Sequence, residues 1–410
     1  MLLFTAVLSL GHGLLSHGQQ TARDPGVAGP SIEPMHYYYD EWPTGIAVSS
    51  TGRMFSNYPP GLDPMDQNYT VAELTGNTTE SPYPSAEYNI PPGGRYNYST
   101  YPPTSASSPD HLVGVQSVVI DAKDRLWILD TGRVALQNGT LLTSAFGGPK
   151  LVGIDLSNNS IIKTILFPPT VAYPDSYLND VRFDLRPSVT SSGAGIAYIT
   201  DSSSEGRNGI VIVDLGTGES WRHLNNLPEV RPEPGFFLSV WAEPVYSNPG
   251  KGQPITPLSF GSDGITLSAD GETLYLSPVS SRYLYSVPTA RLRDRSVASE
   301  LLAAGSVSRL TQKGVSDGLE SDSNGLIYAG SVEQNAVVIF NPANGTASTY
   351  VRDPRLGWMD TFSVSGSDLY FTENQLWRGP GQQGGVDKRV KPFVLWRVPL
   401  VNNGSKILLQ

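Results

Sequence analysis

Apolar and polar residues alternate in short segments along the chain, and each segment ends at a turn rich in glycine, asparagine or aspartate. A second segment rich in aromatic and β-branched residues follows each turn, as in DGITLSADGETLYLSP from Asp263. Turn pairs such as Asp270-Gly271 and Asn324-Gly325 have the backbone freedom that a tight hairpin requires. Six copies of this pattern can be counted, with first strands predicted to begin near residues 45, 115, 179, 263, 317 and 360.

After most copies the alternation continues through a second pair of strands, for example GIVIVDLGTGESWRHL from Gly209. The pattern of each unit therefore predicts about four strands, which is the number of strands in a propeller blade. No helical periodicity exceeds two turns, and residues 298–304 are at most a short helix. A sandwich would not explain six similar copies, and a solenoid would need a more uniform period. We therefore predict an all-β fold, a six-bladed β-propeller over residues 42–410, preceded by an N-terminal extension over residues 20–41.

Two long insertions interrupt the repeats. Residues 57–112 are rich in proline and tyrosine and have little strand pattern. They predict either a glycosylated, solvated loop or a lid that places aromatic side chains over the tunnel mouth. Residues 226–260, which contain Phe236, Phe237 and Trp241, form a second insertion of this kind.

Composition narrows the class of protein further. Gly 42 and Pro 33 make up about 18 % of the chain against a usual share near 12 %, which agrees with many short strands and turns. The formal net charge of −10 argues against nucleic acid or an anionic membrane as the main partner. The chain contains no cysteine, which excludes disulfides, thiolate metal sites and a cysteine nucleophile.

The N-terminus and the sequons predict secretion. Residues 1–19 resemble a secretory signal peptide, and their apolar run is too short and too interrupted to predict a membrane span. The sequence also contains seven Asn-x-Ser/Thr sequons, which are candidate glycosylation sites. These sequons are at Asn68, Asn77, Asn97, Asn138, Asn158, Asn344 and Asn403. We expect a secreted glycoprotein.

The candidate site comes from the starts of the first strands. In a propeller these strands line the tunnel, so residues that are far apart in sequence meet at one mouth. The positions concerned are Thr44, Gln116, Asn179, Asp180, Asp263, Asp317 and Asp360. Converging carboxyl and amide groups suit a hard cation such as Ca²⁺, an amine-bearing ligand, or acid–base chemistry by a carboxyl with a raised pKa. The alternative is a structural network in which each aspartate orders its own blade.

A second row of polar residues lies at the far ends of the second strands, which return toward the same mouth. It comprises Asp130-Thr131, Asp201, Ser277-Pro278 and Glu373-Asn374-Gln375. Asn374 either binds a ligand or caps a loop. The histidines show no metal-ligand spacing, and the GxSxG, GxGxxG and GxxxxGK[ST] motifs are absent. Trp127, Trp221, Trp358 and Trp377 lie in strand patterns and are predicted to be core residues.

Several strings resemble the yellow/major royal jelly protein family. They include GVQSVVIDAKDRLWILDTG, SYLNDVRFD, AYITDSSSEGRNGIVIVDL, DGITLSADGETLYLSP and LYFTENQLWR, and the resemblance runs from about residue 42 to residue 378. The resemblance implies a six-bladed propeller that is secreted and glycosylated. Insect members generally carry cysteines, so the absence of cysteine here favours a microbial branch, such as a fungal one.

The resemblance also implies several functions. Some members of the family resemble dopachrome-converting enzymes, and others bind biogenic amines, with a contact that corresponds to Asn374 of NQLWR. The wider class of gluconolactonase-like propellers implies a divalent ion such as Ca²⁺, held here by Asn179, Asp263 and Asp317. Thr44 replaces the glutamate that this class has in its first blade, which weakens the metal assignment.

The leading hypothesis is a secreted propeller that binds a small aromatic or amine-bearing metabolite and isomerises or cyclises it without a redox cofactor. Asp263, Asp317 and Asp360 would supply acid–base chemistry or charge complementarity, and Asn179 and Asn374 would orient the ligand. The alternatives are a non-catalytic binding or structural glycoprotein and a metal-dependent lactonase-like hydrolase. The sequence leaves the oligomeric state open.

Overall fold

The computed structural model describes residues 26–65, 68–250 and 252–410. The predicted signal peptide, residues 1–19, lies outside the described residues. Six four-stranded antiparallel sheets form a closed ring, because the first strand of each sheet contacts the first strands of both neighbouring sheets. The predicted six-bladed β-propeller is therefore confirmed.

The first three blades come from the N-terminal half of the chain. Blade 1 consists of Gly45–Val48, Met54–Asn57, Val71–Leu74 and Glu80–Pro82. Blade 2 consists of Val115–Ile120, Arg125–Asp130, Lys150–Asp155 and Ser160–Leu166. Blade 3 consists of Leu178–Asp184, Ile196–Asp201, Gly209–Asp214 and Ser220–His223.

The last three blades complete the ring. Blade 4 consists of Ser262–Leu267, Thr273–Pro278, Tyr283–Pro288 and Ser308–Gln312. Blade 5 consists of Leu319–Ser321, Ile327–Ser331, Ala336–Asn341 and Thr346–Arg352. Blade 6 consists of Met359–Ser365, Asp368–Glu373, Phe393–Pro399 and Glu33–Tyr38.

The sixth blade joins the two ends of the propeller. Its outer strand, Glu33–Tyr38, comes from the predicted N-terminal extension 20–41 and pairs antiparallel with Phe393–Pro399. The extension therefore contributes a strand to the propeller. The first strands of the six blades begin within two residues of their predicted positions.

The hydrophobic core lies between blades. Trp127 of blade 2, for example, stacks on Phe183 of blade 3 with ring centroids 5.2 Å apart. Both rings are at least nine-tenths buried, and similar clusters fill the other junctions of the ring. Each sheet thus buries both faces, which explains why the inner strands are apolar at nearly every position.

The insertions contain more secondary structure than their sequences predicted. Segment 57–112 contributes the two outer strands of blade 1 and a small hairpin, Tyr96–Asn97 with Thr104–Ser105. Segment 226–260 forms two further hairpins, which are Ser239–Val240 with Glu243–Pro244 and Tyr246–Ser247 with Thr256–Pro257.

Helix is scarce in the described part of the chain. It has the two short α-helices Thr289–Arg293 and Ser299–Ala304, and the second agrees with the short helix predicted at 298–304. Single 3₁₀ turns occur at Pro187–Val189, Leu376–Arg378 and Val401–Asn403. No helix among the described residues is long and apolar enough to cross a membrane.

The chain crosses one mouth of the tunnel after its last blade. Lys406 donates from Nζ to the carbonyl oxygen of Ile120 at 2.8 Å, and the carbonyl of Leu409 accepts from the backbone N–H of Leu185 at 2.8 Å. These contacts tie the tail to blades 2 and 3. The candidate site therefore lies at the opposite mouth, where the first strands begin.

Candidate functional site at the tunnel mouth

A cavity lies at the mouth where the first strands begin. Five of the predicted site residues line it, which are Gln116, Asn179, Asp263, Asp317 and Asp360. The remaining lining residues are Leu62, Leu141, Tyr177, Ser202, Ser204, Glu205, Phe260 and Leu376. The structure thus brings residues from blades 2 to 6 into one pocket with a polar floor and an apolar rim.

β-bulges coincide with four of the five predicted site residues that line this pocket. The pairing between the first and second strands shifts at Gln116 in blade 2, at Asn179 and Asp180 in blade 3, at Asp263 in blade 4 and at Asp360 in blade 6. A bulge leaves its residue outside the regular ladder and turns the side chain in a new direction. The site residues at these bulges therefore have no paired residue in the regular hydrogen-bond ladder of their sheet.

Asn179 and Asp263 are linked directly. The amide Nδ2 of Asn179 donates to Oδ2 of Asp263 at 2.5 Å and to Oγ of Ser202 at 2.9 Å. Burial raises the pKa of Asp263 well above its ordinary value, and the charges of Asp317 and Asp360 raise it further. The Asp263 carboxyl consequently holds its proton at a pH where an exposed aspartate has lost it.

Asp317 is the most acidic of the three converging carboxyl groups. Burial raises its pKa, but Trp358 donates from Nε1 to Oδ2 at 2.7 Å and limits the rise to about 6. Interaction with Asp263 also lowers the pKa of Asp317, and the same interaction raises the pKa of Asp263. The pair therefore combines a proton donor with a proton acceptor.

Asp360 is held by Asn374. The amide Nδ2 of Asn374 donates to Oδ2 of Asp360 at 2.7 Å and to the carbonyl oxygen of Pro43 at 3.1 Å. Burial raises the pKa of Asp360 well above its usual value, the charge of Asp317 raises it further, and the Asn374 bond opposes this rise. Asn374 is fully buried and does not line the cavity. In this structure it positions Asp360, while direct contact with a ligand stays a prediction.

Two other predicted ligand-binding residues lie away from the cavity. Thr44 is completely buried, and its Oγ1 accepts from Nδ2 of Asn57 at 2.8 Å. Asp180 lies deeper in the tunnel, where its Oδ1 is 2.8 Å from Nη1 of Arg182. Both side chains thus already have partners within the protein.

The second row of polar residues is largely structural. Asp130 forms a buried ion pair with Lys150 at 2.8 Å and accepts backbone N–H groups from Val113 and Gly114. Asp201 forms a 2.8 Å ion pair with Arg222. These aspartates hold loops between blades, which is the role that the structural alternative assigned to such residues.

Sequence reasoning missed the ionised carboxylate at the rim, Glu205. Buried Arg133 donates to Oε1 of Glu205 from Nη2 at 2.7 Å, and Ser203 donates to Oε2 at 3.0 Å. Partial burial opposes ionisation, but these hydrogen bonds outweigh it and lower the pKa of Glu205. Glu205 lies in a loop outside the repeated strand pattern. The one signal in the sequence is its position four residues after Asp201, which ends a second strand and was therefore expected near the mouth.

The side chains at the predicted metal ligands do not offer the oxygen donors that a hard cation requires. Asn179 presents an N–H group to Asp263, and Oγ1 of Thr44 already accepts from Nδ2 of Asn57. Within the described ranges, no three histidine, aspartate or glutamate side chains converge as metal ligands. Ca²⁺ takes six to eight oxygen ligands. The residues present do not fit such a site.

Comparison with known proteins places the chain in a family. Residues 113–378 match the family model described as major royal jelly protein. The chain belongs to this family. Major royal jelly protein 7 of Apis mellifera is 26 % identical over 280 residues, covering 68 % of this chain and 52 % of that protein. Protein yellow of Drosophila melanogaster is 24 % identical over 301 residues, covering 70 % of this chain and 48 % of that protein.

This family member spans about half the length of the curated relatives it matches. Among solved structures, a luciferin-regenerating enzyme superposes with a TM-score of 0.50 at 12 % sequence identity, covering 92 % of this chain and 98 % of that chain. At this identity the likeness shows the shared propeller fold alone. The microbial branch stays a prediction.

Proposed function

We propose that the protein binds a small aromatic or amine-bearing metabolite at the tunnel mouth. The observation that carries this proposal is the charge of the cavity, where three aspartates and Glu205 meet with no lysine or arginine among the described lining residues. A ligand ammonium group there would pair with the carboxylate of Asp317 and favour ionisation of the neighbouring Asp263 and Asp360. Phe260, Tyr177 and the leucines of the rim offer apolar surface to an aromatic ring.

The same geometry supports a rearrangement of the bound metabolite. Asp317 as carboxylate accepts a proton from one ligand atom, and Asp263 as carboxylic acid returns a proton to another. The net change moves one hydrogen and a double bond within the ligand, so neither an oxidant nor a redox cofactor is consumed. An isomerisation or cyclisation of a dopachrome-like compound is a reaction of this kind.

Secretion is part of the proposal. The asparagines of six sequons are exposed, and the seventh, Asn97, is half-buried. Exposure of the acceptor asparagine is required for glycan attachment. Together with the signal-like leader, this exposure supports a secreted glycoprotein.

Calorimetric titration with tyramine tests the binding function, with 4-ethylphenol as the matched ligand that lacks the amine. We expect saturable binding of tyramine that is at least tenfold tighter than that of 4-ethylphenol. Asp263→Asn should abolish the difference between the two ligands. Asp270→Asn is the matched control, because Asp270 serves a hairpin turn through Ser268 at 2.6 Å.

Failure of all ligands would contradict the proposal. If catechols, indoles, quinones and lactones gave neither saturable binding nor turnover, the structural glycoprotein would be favoured. Turnover of lactones that requires added Ca²⁺ would favour the hydrolase instead.

A further inference from the structure

A groove opens beside the tunnel-mouth cavity. It is lined by Asn208 and by segments 203–206, 231–236 and 256–259. Ser204 and Glu205 line both the cavity and this groove. A ligand whose amine reaches the aspartates can therefore continue past Glu205 into the groove.

The border between the two spaces is rigid. Arg133, which is 1 % exposed, holds Glu205 from one side and also donates to the carbonyl oxygens of Leu142 and Asp175 at 2.8 and 2.9 Å. Four hydrogen bonds, from this buried guanidinium and from two neighbouring serine hydroxyls, leave the Glu205 carboxylate little freedom to turn. Glu205 thus forms a fixed border that lines both spaces.

The groove offers polar groups that are unused within the protein. Asn208 is completely buried, and its Nδ2 donates to the carbonyl oxygens of Asp201 and Ser203 at 3.0 and 2.9 Å. Its Oδ1 has no hydrogen-bond partner among the described residues. Arg231 is exposed at the groove, and across the described ranges its guanidinium likewise has no partner. Glu233 adds an exposed carboxylate to the same wall, although its Oε2 already accepts from Oγ of Ser281 at 3.4 Å.

We propose that this groove binds a polyhydroxylated group, such as a hexose, attached to the aromatic ligand. Amide and carboxylate oxygens accept hydrogen bonds from sugar hydroxyls, and a guanidinium donates hydrogen bonds to those hydroxyls. The groove therefore suits a hydroxyl group both as donor and as acceptor. A phosphate would meet the carboxylates of Glu205 and Glu233, and an alkyl chain would leave the buried Oδ1 of Asn208 unpaired. The inference rests on the proposed function, because it assigns the other end of the same ligand.

The test compares tyramine with its phenolic O-β-D-glucoside by calorimetric titration. The amine occupies the aspartate cavity in both ligands, and only the glucoside has a sugar to place in the groove. We expect the glucoside to bind about tenfold more tightly, the effect of one or two net hydrogen bonds. Arg231→Ala should remove this gain and leave tyramine affinity unchanged. Arg291→Ala, at an exposed arginine outside the groove, should change neither affinity.

The outcomes separate the two proposals. Equal affinities of the wild-type protein for both ligands, or an equal loss for both in Arg231→Ala, would overturn the groove assignment and leave the amine site standing. Binding of the glucoside alone, lost in Arg231→Ala, would overturn the amine site and support the groove. Binding of neither ligand would overturn both.

Discussion

Trp358 donates a 2.7 Å hydrogen bond from its indole Nε1 to Oδ2 of Asp317. Trp358 is completely buried between blades, as its strand pattern predicted, yet its one polar atom reaches the candidate site. The two residues belong to different blades, and the bond favours the ionised form of Asp317. A core residue thus lowers the pKa of a site residue.

Trp358→Phe removes this donor while keeping an aromatic ring in the core. We expect the pKa of Asp317 to rise above about 6, because the hydrogen bond that lowers it is lost. Tyramine affinity near pH 6 should fall about three- to tenfold, and the pH midpoint of binding should move upward, as measured by titration across pH 5–8.

Trp127→Phe is the control for this prediction. Trp127 donates from Nε1 to Asp121 at 2.8 Å, away from the tunnel mouth. Trp127→Phe and Trp358→Phe should lose similar amounts of folding stability, because each loses one buried indole hydrogen bond. Trp127→Phe should nevertheless bind tyramine with wild-type affinity. A pH profile of Trp358→Phe identical to that of the wild type would contradict the assigned role of the Trp358 bond.

Asp317→Asn should stabilise the fold at pH 7 while abolishing ligand binding. The pKa of Asp317 is about 6 in the folded protein, against 3.8 for an unperturbed aspartate, so the folded state binds more protons than the unfolded state between these values. The free energy of unfolding therefore falls as pH rises through this window, by about 3 kcal/mol from this group. The substitution should remove that loss, and chemical denaturation at pH 4 and pH 7 would measure it.

Asp130→Asn gives the opposite result in the same experiment. Asp130 is paired with buried Lys150, so the substitution leaves a buried charge without its partner. We expect a loss of about 3–5 kcal/mol. A stability loss of that size in Asp317→Asn would show that Asp317, too, is a structural aspartate.

Calcium should change neither the thermal stability of the protein nor its affinity for tyramine. The donor set at Asn179 and Asp263 does not fit a calcium site, so neither CaCl₂ nor EDTA should alter the melting temperature or tyramine affinity. A rise in melting temperature with CaCl₂ that disappears in Asp263→Asn would contradict this expectation and restore the metal assignment.

Removal of residues 26–38 should destabilise the ring at its closure. The strand Glu33–Tyr38 pairs with Phe393–Pro399, and buried His36 and Tyr38 contact blade 1 through Glu80 and Ser56. We expect a large fall in the melting temperature, measured by circular dichroism, because the edge of blade 6 and these polar groups lose their partners. Removal of residues 26–31 alone should have a small effect, and equal effects of the two deletions would contradict the closure role.

The fold was largely predictable because each blade is built from local hairpins. Alternation and turn residues set the register within a hairpin, and both are visible over fewer than twenty residues. The outer strand of blade 6 was not predictable in this way. Its partner, Phe393–Pro399, lies at the other end of the chain, and no local pattern links the two.

The sequence by itself determined the number of blades and the convergence of Asp263, Asp317 and Asp360, because propeller topology places the first-strand starts at one mouth. Only the tertiary structure decided which neighbouring side chains line the cavity. Bulges turn residues out of the ladder, and contacts between blades give Thr44 and Asn374 internal partners. Such contacts join residues that are distant in sequence, and their effect on charge depends on burial that only the assembled ring creates.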